Sequence, residues 1–145
     1  MKEHKYRAWD KQGKRMLEVR GLTWTRRDTA LGEPPVIDMI VAFGETFTFE
    51  PESVDLIACT GLKDKNGVGI WEGDIVSDKI LDHKTKKPES EARIFEVYWD
   101  EKTASFWQKL VDDPDRKFRS GHCFAAEKDC EVIGNIHENP ELLTA

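Results

Sequence analysis

One stretch constrains this chain more than any other: Gly61-Leu62-Lys63-Asp64-Lys65-Asn66-Gly67, running into Ile70-Trp71-Glu72-Gly73-Asp74-Ile75-Val76. Asn66-Gly67 is the strongest short turn signal in the sequence, because both residues of a two-residue hairpin loop take positive φ. Gly73-Asp74 follows, with Gly supplying a backbone conformation costly for other residues and Asp an acceptor for turn amides. Val76 is then expected to point inward, on a strand that starts at Trp71 and can run to Leu81. Each part of this segment has a local structural job. A folding signature is therefore the better account of it than a binding loop.

The rest of the chain reads in the same idiom. Tyr6 and Ala8 alternate with Arg7 and Trp9, and Met16 and Glu18 with Leu17 and Val19, around Asp10-Lys11-Gln12-Gly13-Lys14. Period-two runs flanking a Gly-containing polar pentapeptide predict a β-hairpin, whose second strand can continue through Leu22 and Trp24. Residues 25–35 have no apolar period and read as a loop. Residues 36–43 are mostly apolar, interrupted by Asp38, and Thr46-Phe47-Thr48-Phe49 alternates strictly, with both phenylalanines on one face. Pro51-Glu52-Ser53 punctuates the chain, and residues 54–60 fit a strand or a single helical turn equally well. Residues 82–90 contain no large apolar side chain and read as an exposed loop. Residues 94–99 and 105–111 form a second hairpin around 100–104. Glu131-Val132-Ile133-Gly134-Asn135-Ile136 is a strand entering a turn. A short terminal helical turn follows, with Asn139 as N-cap and Pro140 at its first position.

A chain of 145 residues is one domain, 1–145, which can carry two lobes, 1–60 and 61–145, and it is long enough to fold on an apolar core alone. Three cysteines (Cys59, Cys123 and Cys130) cannot all pair with one another, and the polar N-terminus shows no secretory leader. These features point to a reducing, cytoplasmic setting, and no apolar run approaches a membrane span. The net charge of −6 is unevenly spread. Residues 1–27 hold nine Lys or Arg against three acids, whereas the other 118 hold thirteen against twenty-five. A basic face for phosphates is one reading, and neutralisation across a sheet or a solvated face is the preferred one.

Three segments together resemble the YopX family of phage and prophage proteins. They are Lys5-Tyr6-Arg7-Ala8-Trp9-Asp10 followed by Met16, the central stretch described above, and Val132-Ile133-Gly134-Asn135-Ile136-His137-Glu138-Asn139-Pro140-Glu141-Leu142-Leu143. The resemblance implies a mainly β fold with a barrel-like half, encoded by a phage or prophage, with no assigned activity and no catalytic residues to carry over. Gly73-Asp74-x-Val76 is similar to the turn that opens small SH3-like barrels. The expected fold is therefore mainly β: a small SH3-like barrel-type core, an added N-terminal β-hairpin region and short helical turns.

Catalytic constellations find little support. His122-Cys123, Cys130, Cys59 and His137 lack zinc-ligand spacing, so packed, inert cysteines are expected, with no metal site and no cofactor. A small metal-dependent hydrolase remains the competing class, with Asp74 and Asp100 as its first candidates. The preferred class is a non-catalytic binding module for a host or phage macromolecule. A protein partner is favoured over nucleic acid by the acidic total charge, and an oligomeric structural or assembly protein, self-associating through strand edges, is the third class. Arg7 and Trp9, as an aromatic-basic platform, and Trp71 and Asp74, in the central motif, are the candidate binding residues. For Trp9 itself, a place in the core beside Leu17 and Val19 is preferred to an exposed one.

Overall fold

In the computed structural model the described residues are 6–25, 29–32, 36–41, 45–79, 91–119 and 130–144. They are mainly β, in antiparallel sheets, and the chain divides into two compact units, Met1–Ala58 and Cys59–Ala145.

In the first unit, β1 (Tyr6–Asp10) and β2 (Arg15–Thr25) form the expected hairpin, with Ala8 opposite Leu17 and Trp9 opposite Met16. Asp10 closes it: its Oδ1 accepts the amides of Gln12 at 3.2 Å and Gly13 at 3.0 Å, and its Oδ2 accepts Arg15 Nε at 2.9 Å. Gly13 is required by proximity, since a Cβ there would lie 2.5 Å from Asp10 Oδ2, while the positive φ of 48° falls on Lys14. β3 (Val36–Val41) and β4 (Thr46–Phe49) extend the sheet beyond β2, and the first residues of β5 (Val54–Lys63) pair with β1. Ala8 and Val54 are buried, with Leu17, Val19, Phe49 and Leu56 packed against them.

An irregularity in β2 between Val19 and Gly21 changes which side chains share a face. A bulge inserts one extra residue and so inverts the alternation beyond it. Leu22 stands opposite Met39, which stands opposite Phe47; Trp24 stands opposite Ile37, which stands opposite Phe49. Residues directly opposite one another point to the same face. Leu22 and Trp24 therefore lie on the face of Phe47 and Phe49, whose rings stack at 6.1 Å.

In the second unit, the later residues of β5 pair with β6 (Gly69–Trp71), which ends in a turn before β7 (Asp74–Asp78). The expected strand from Trp71 thus starts at Asp74, because residues 71–74 are used in the reversal. The Asn-Gly loop also differs from expectation: only Gly67 has positive φ, at 78°. Gly67 N donates to Asp64 O at 3.0 Å and Asp64 N to Val68 O at 2.8 Å, so a turn closed by a left-handed glycine replaces a two-residue loop.

β7, β8 (Arg93–Asp100), β9 (Ser105–Leu110), β10 (Lys117–Arg119) and β11 (Glu131–Asn135) form a sheet in the order β10-β9-β8-β7-β11. Its inner face buries Val76, Phe95, Val97 and Leu110 with Ile70 and Cys130, and Phe118 packs its ring edge-on against Phe95 at 5.8 Å. Among the described residues β10 and β11 each pair on one side only, so the sheet is open and the barrel is not closed. Short 3₁₀ turns occupy Thr29–Leu31, Pro51–Ser53 and Pro140–Thr144. Before the last of these, Asn135 accepts the amides of His137 and Glu138 at 3.0 and 2.8 Å. Asn139 holds the expected N-cap position, its carbonyl accepting Leu142 N at 3.1 Å, while its Oδ1 accepts from Asn135 N at 3.3 Å. Leu81, the loop 82–90, His122 and Cys123 lie outside the described residues.

Candidate functional site

Arg7 and Trp9 share one face of β1, as an aromatic-basic platform requires, and both are half-buried. The core contact expected for Trp9 is not made. Leu17 and Val19 stand opposite Ala8 and Tyr6, on the other face, because strand period two separates Trp9 from Ala8. Arg7 instead faces Glu18 and Ile57, and Trp9 faces Met16 and Asp55. Two carboxylates therefore flank the pair, and Asp55 also holds Lys11 at 3.2 Å. In this part of the hairpin the basic residues meet acids across the sheet, which reduces the attraction for phosphate.

Trp71 and Asp74 are the two ends of a single reversal. Trp71 N donates to Asp74 Oδ2 at 2.8 Å, and Gly73, at φ +82°, donates its amide to Val97 O and accepts from Ile136 N, each at 2.8 Å. Asp74 is 2% exposed. The turn stitches three strands together, and Val76 behind it is fully buried, as the sequence reading required.

Asp64 performs the same task over a longer span, a role the sequence reading did not assign. Its Oδ1 accepts the amides of Asn66 at 2.8 Å and Val68 at 2.9 Å, while its Oδ2 accepts Val132 N at 3.0 Å. Burial alone would raise its pKa, but the three amide bonds outweigh that and hold the carboxyl below its ordinary value. Asp10 is likewise lowered, chiefly by the Gly13 amide, against desolvation and with help from Arg15. Asp100 is lowered by the Thr103 hydroxyl, which donates to it at 2.6 Å at the tip of the β8–β9 hairpin. Asp74 and Asp100, the hydrolase candidates, thus each accept hydrogen bonds within the turn they close. Among the described residues no group of three or more His, Cys, Asp or Glu is placed to hold a metal ion.

Cys130 is buried, and its thiol is pushed up to about 12, first by burial and then by Asp78 and Asp64. A thiol of that pKa stays protonated near neutral pH and packs as an apolar side chain.

The β8–β9 hairpin carries aromatic pairs on both faces. Trp99 stands opposite Phe106, ring to ring at 4.9 Å, and Tyr98 stands opposite Trp107 on the other face. Trp107 Nε1 donates to Thr103 Oγ1 at 2.7 Å and to Ser105 Oγ at 3.1 Å. The sequence reading placed these strands without pairing their aromatics; counting outward from the 100–104 turn would have brought them together. Large apolar side chains left in water include Trp24 at 58%, Trp99 at 42% and Leu22 at 37% exposure.

A family model described as YopX protein matches residues 5–144. The structure is similar to a protein of Enterococcus faecalis, EF1440, at 26% identity and a TM-score of 0.55, covering 99% of both chains. It is also similar to protein yopX of Bacillus subtilis, at 19% identity and a TM-score of 0.54, covering 95% of this chain and 96% of that one. No curated protein matches the chain.

Proposed function

The chain belongs to the YopX family, and on that premise we propose that it is a phage or prophage accessory protein, a non-catalytic module that binds a protein partner inside the bacterial host. The observation that carries this reading is the wet apolar strip on the first unit's sheet. Trp24 and Leu22 are exposed there, on the same face as the half-buried Phe47 and Phe49 two strands away, and the bulge in β2 is what turns them to that face. Exposed large apolar side chains gathered on one sheet face gain free energy when a partner excludes water from them. The turn duties of Asp64, Asp74 and Asp100 support a binding role over a hydrolytic one, since each carboxylate already accepts amides or a hydroxyl. The net charge of −6 favours protein over nucleic acid for the molecule as a whole.

The test is affinity capture of the tagged protein from phage-bearing cells, with and without nuclease, beside a Leu22→Ser/Trp24→Ser variant. A stoichiometric protein that survives nuclease and is lost from the variant is the expected result. Recovery of the bait alone, or a partner indifferent to the variant, would remove the strip from consideration. Stabilisation of the melting point by Mg²⁺ or Mn²⁺, abolished by Asp100→Asn, would instead favour the hydrolase.

A further inference from the structure

The outer face of the second unit's sheet assembles a surface that no contiguous stretch of sequence contains. Phe95, Val97, Gln108 and Leu110 point to the core, so Glu96, Tyr98, Trp107 and Lys109 point away from it. Cross-strand pairing sets these in two rows. Tyr98 stands opposite Trp107, and Trp107 opposite Arg119; Glu96 stands opposite Lys109, and Lys109 opposite Lys117. Two adjacent aromatic residues are therefore bordered by Lys109 and Lys117 on the β9–β10 side and by Glu96 and Asp100 along β8, on a chain whose net charge is −6.

From this juxtaposition we infer that the face formed by Tyr98, Trp107, Lys109 and Lys117 binds single-stranded nucleic acid, with bases stacked on the aromatics and phosphates on the β9–β10 side. Stacking is tolerant of base identity because every base has a π-face, and a neighbouring cation row follows the backbone. The Trp107 ring is held in place by its hydrogen bonds to Thr103 and Ser105, so little ordering is needed when a base stacks on it. Lys117 is exposed and meets phosphate first. Lys109 lies 5.3 Å from the Tyr98 ring centroid and 3.2 Å from Glu96, so that carboxylate competes with phosphate for it. This face is independent of the apolar strip in the first unit, and its occupant is of a different class.

The experiment is fluorescence anisotropy with a labelled oligothymidylate of roughly ten nucleotides, a length suited to one small β module, at low and rising salt. The full-length protein should bind at low salt, and affinity should fall linearly on a log-log plot as salt rises. Trp107→Leu should weaken binding about tenfold, by loss of one stacked base. Lys117→Glu, at an exposed position that leaves the fold intact, should weaken it and flatten the salt slope. Glu96→Gln should tighten it by freeing Lys109, a gain that a merely structural role for Glu96 would not produce. Absence of binding at low salt would overturn the inference. So would binding that Lys117→Glu and Glu96→Gln leave unchanged, or polyglutamate competing as well as the oligonucleotide, which would mean an acidic polypeptide site. Leu22 and Trp24 are untouched by these variants, so loss of a protein partner is read separately.

Discussion

In the unit Cys59–Ala145, Ile70, Val76, Phe95, Val97, Leu110 and Cys130 form one buried cluster; in Met1–Ala58 the corresponding cluster, among the described residues, has only Ala8 and Val54 fully inside. Their turns differ in the same direction. Asp10 accepts from Gln12, Gly13 and Arg15, all within five residues of itself. Asp64 closes its own turn and also takes the amide of Val132, 68 residues away. Both units are built from alternating strands and carboxylate-closed turns. The Asp64 side chain thus ties its turn to a distant strand, whereas the Asp10 side chain bonds only within its own hairpin.

Of the substitutions that test this contrast, the largest effect belongs to the deeper core. Phe95→Ala should cost about 3–5 kcal/mol in urea denaturation, and Val54→Ala in the first unit distinctly less. A larger loss from Val54 would reverse the ranking. Next come the two turn carboxylates. Asp64→Ala leaves three amides without their acceptor, one of them on half-buried Val132, and should cost about 2–3 kcal/mol, against about 1 kcal/mol for Asp10→Ala, whose two turn amides both sit in exposed residues that water can reach. Equal losses would mean that the tie to the distant strand does not matter. Gly73→Ala combines φ +82° with a Cβ 3.3 Å from Ile136 Cγ1, and about 1–2 kcal/mol is expected from the left-handed backbone conformation.

The smallest effect is the acid limb of the stability curve. Asp10 and Asp64 both have folded pKa values below the unfolded ones, so the unfolded chain binds more protons as the solution is acidified. The stability they contribute is fully present above the ordinary carboxylate value of about 4 and is lost as pH falls through their folded values. Urea midpoints measured from neutral pH downward should show this loss. Asp64→Asn should flatten the acid limb more than Asp10→Asn if Asp64 anchors the deeper unit, and the opposite order would count against the comparison.

Much of this architecture was legible in the residues. Tyr6 to Val19 announced the first hairpin, Thr46 to Phe49 its paired phenylalanines, and residues 94–111 the second hairpin, because period-two alternation and Gly or Asp turn chemistry act within a few positions. The role of Gly73-Asp74 was legible for the same reason. The side of the sheet taken by Trp9 was not: alternation establishes that it opposes Ala8 but not which face becomes the core. Leu22 and Trp24 were misleading in another way, since an uninterrupted alternation from Leu17 places them opposite the face they occupy. The barrel expected from the Gly-Asp turn does not close in the described residues, because a turn motif specifies one reversal and leaves the outer strands free to pair or not.

The residues alone therefore determined where most of the chain reverses and that the protein is built of short strands, though not the exact strand ends, since the strand expected from Trp71 begins at Asp74. Those properties rest on sterics and hydrogen bonds between near neighbours. The tertiary structure decided the rest: the face inversion in β2, the bond from Asp64 to Val132, and the meeting of Tyr98 with Trp107 beside Lys109 and Lys117. Register between strands and the choice of buried face depend on partners far away in the chain, and no local rule contains them.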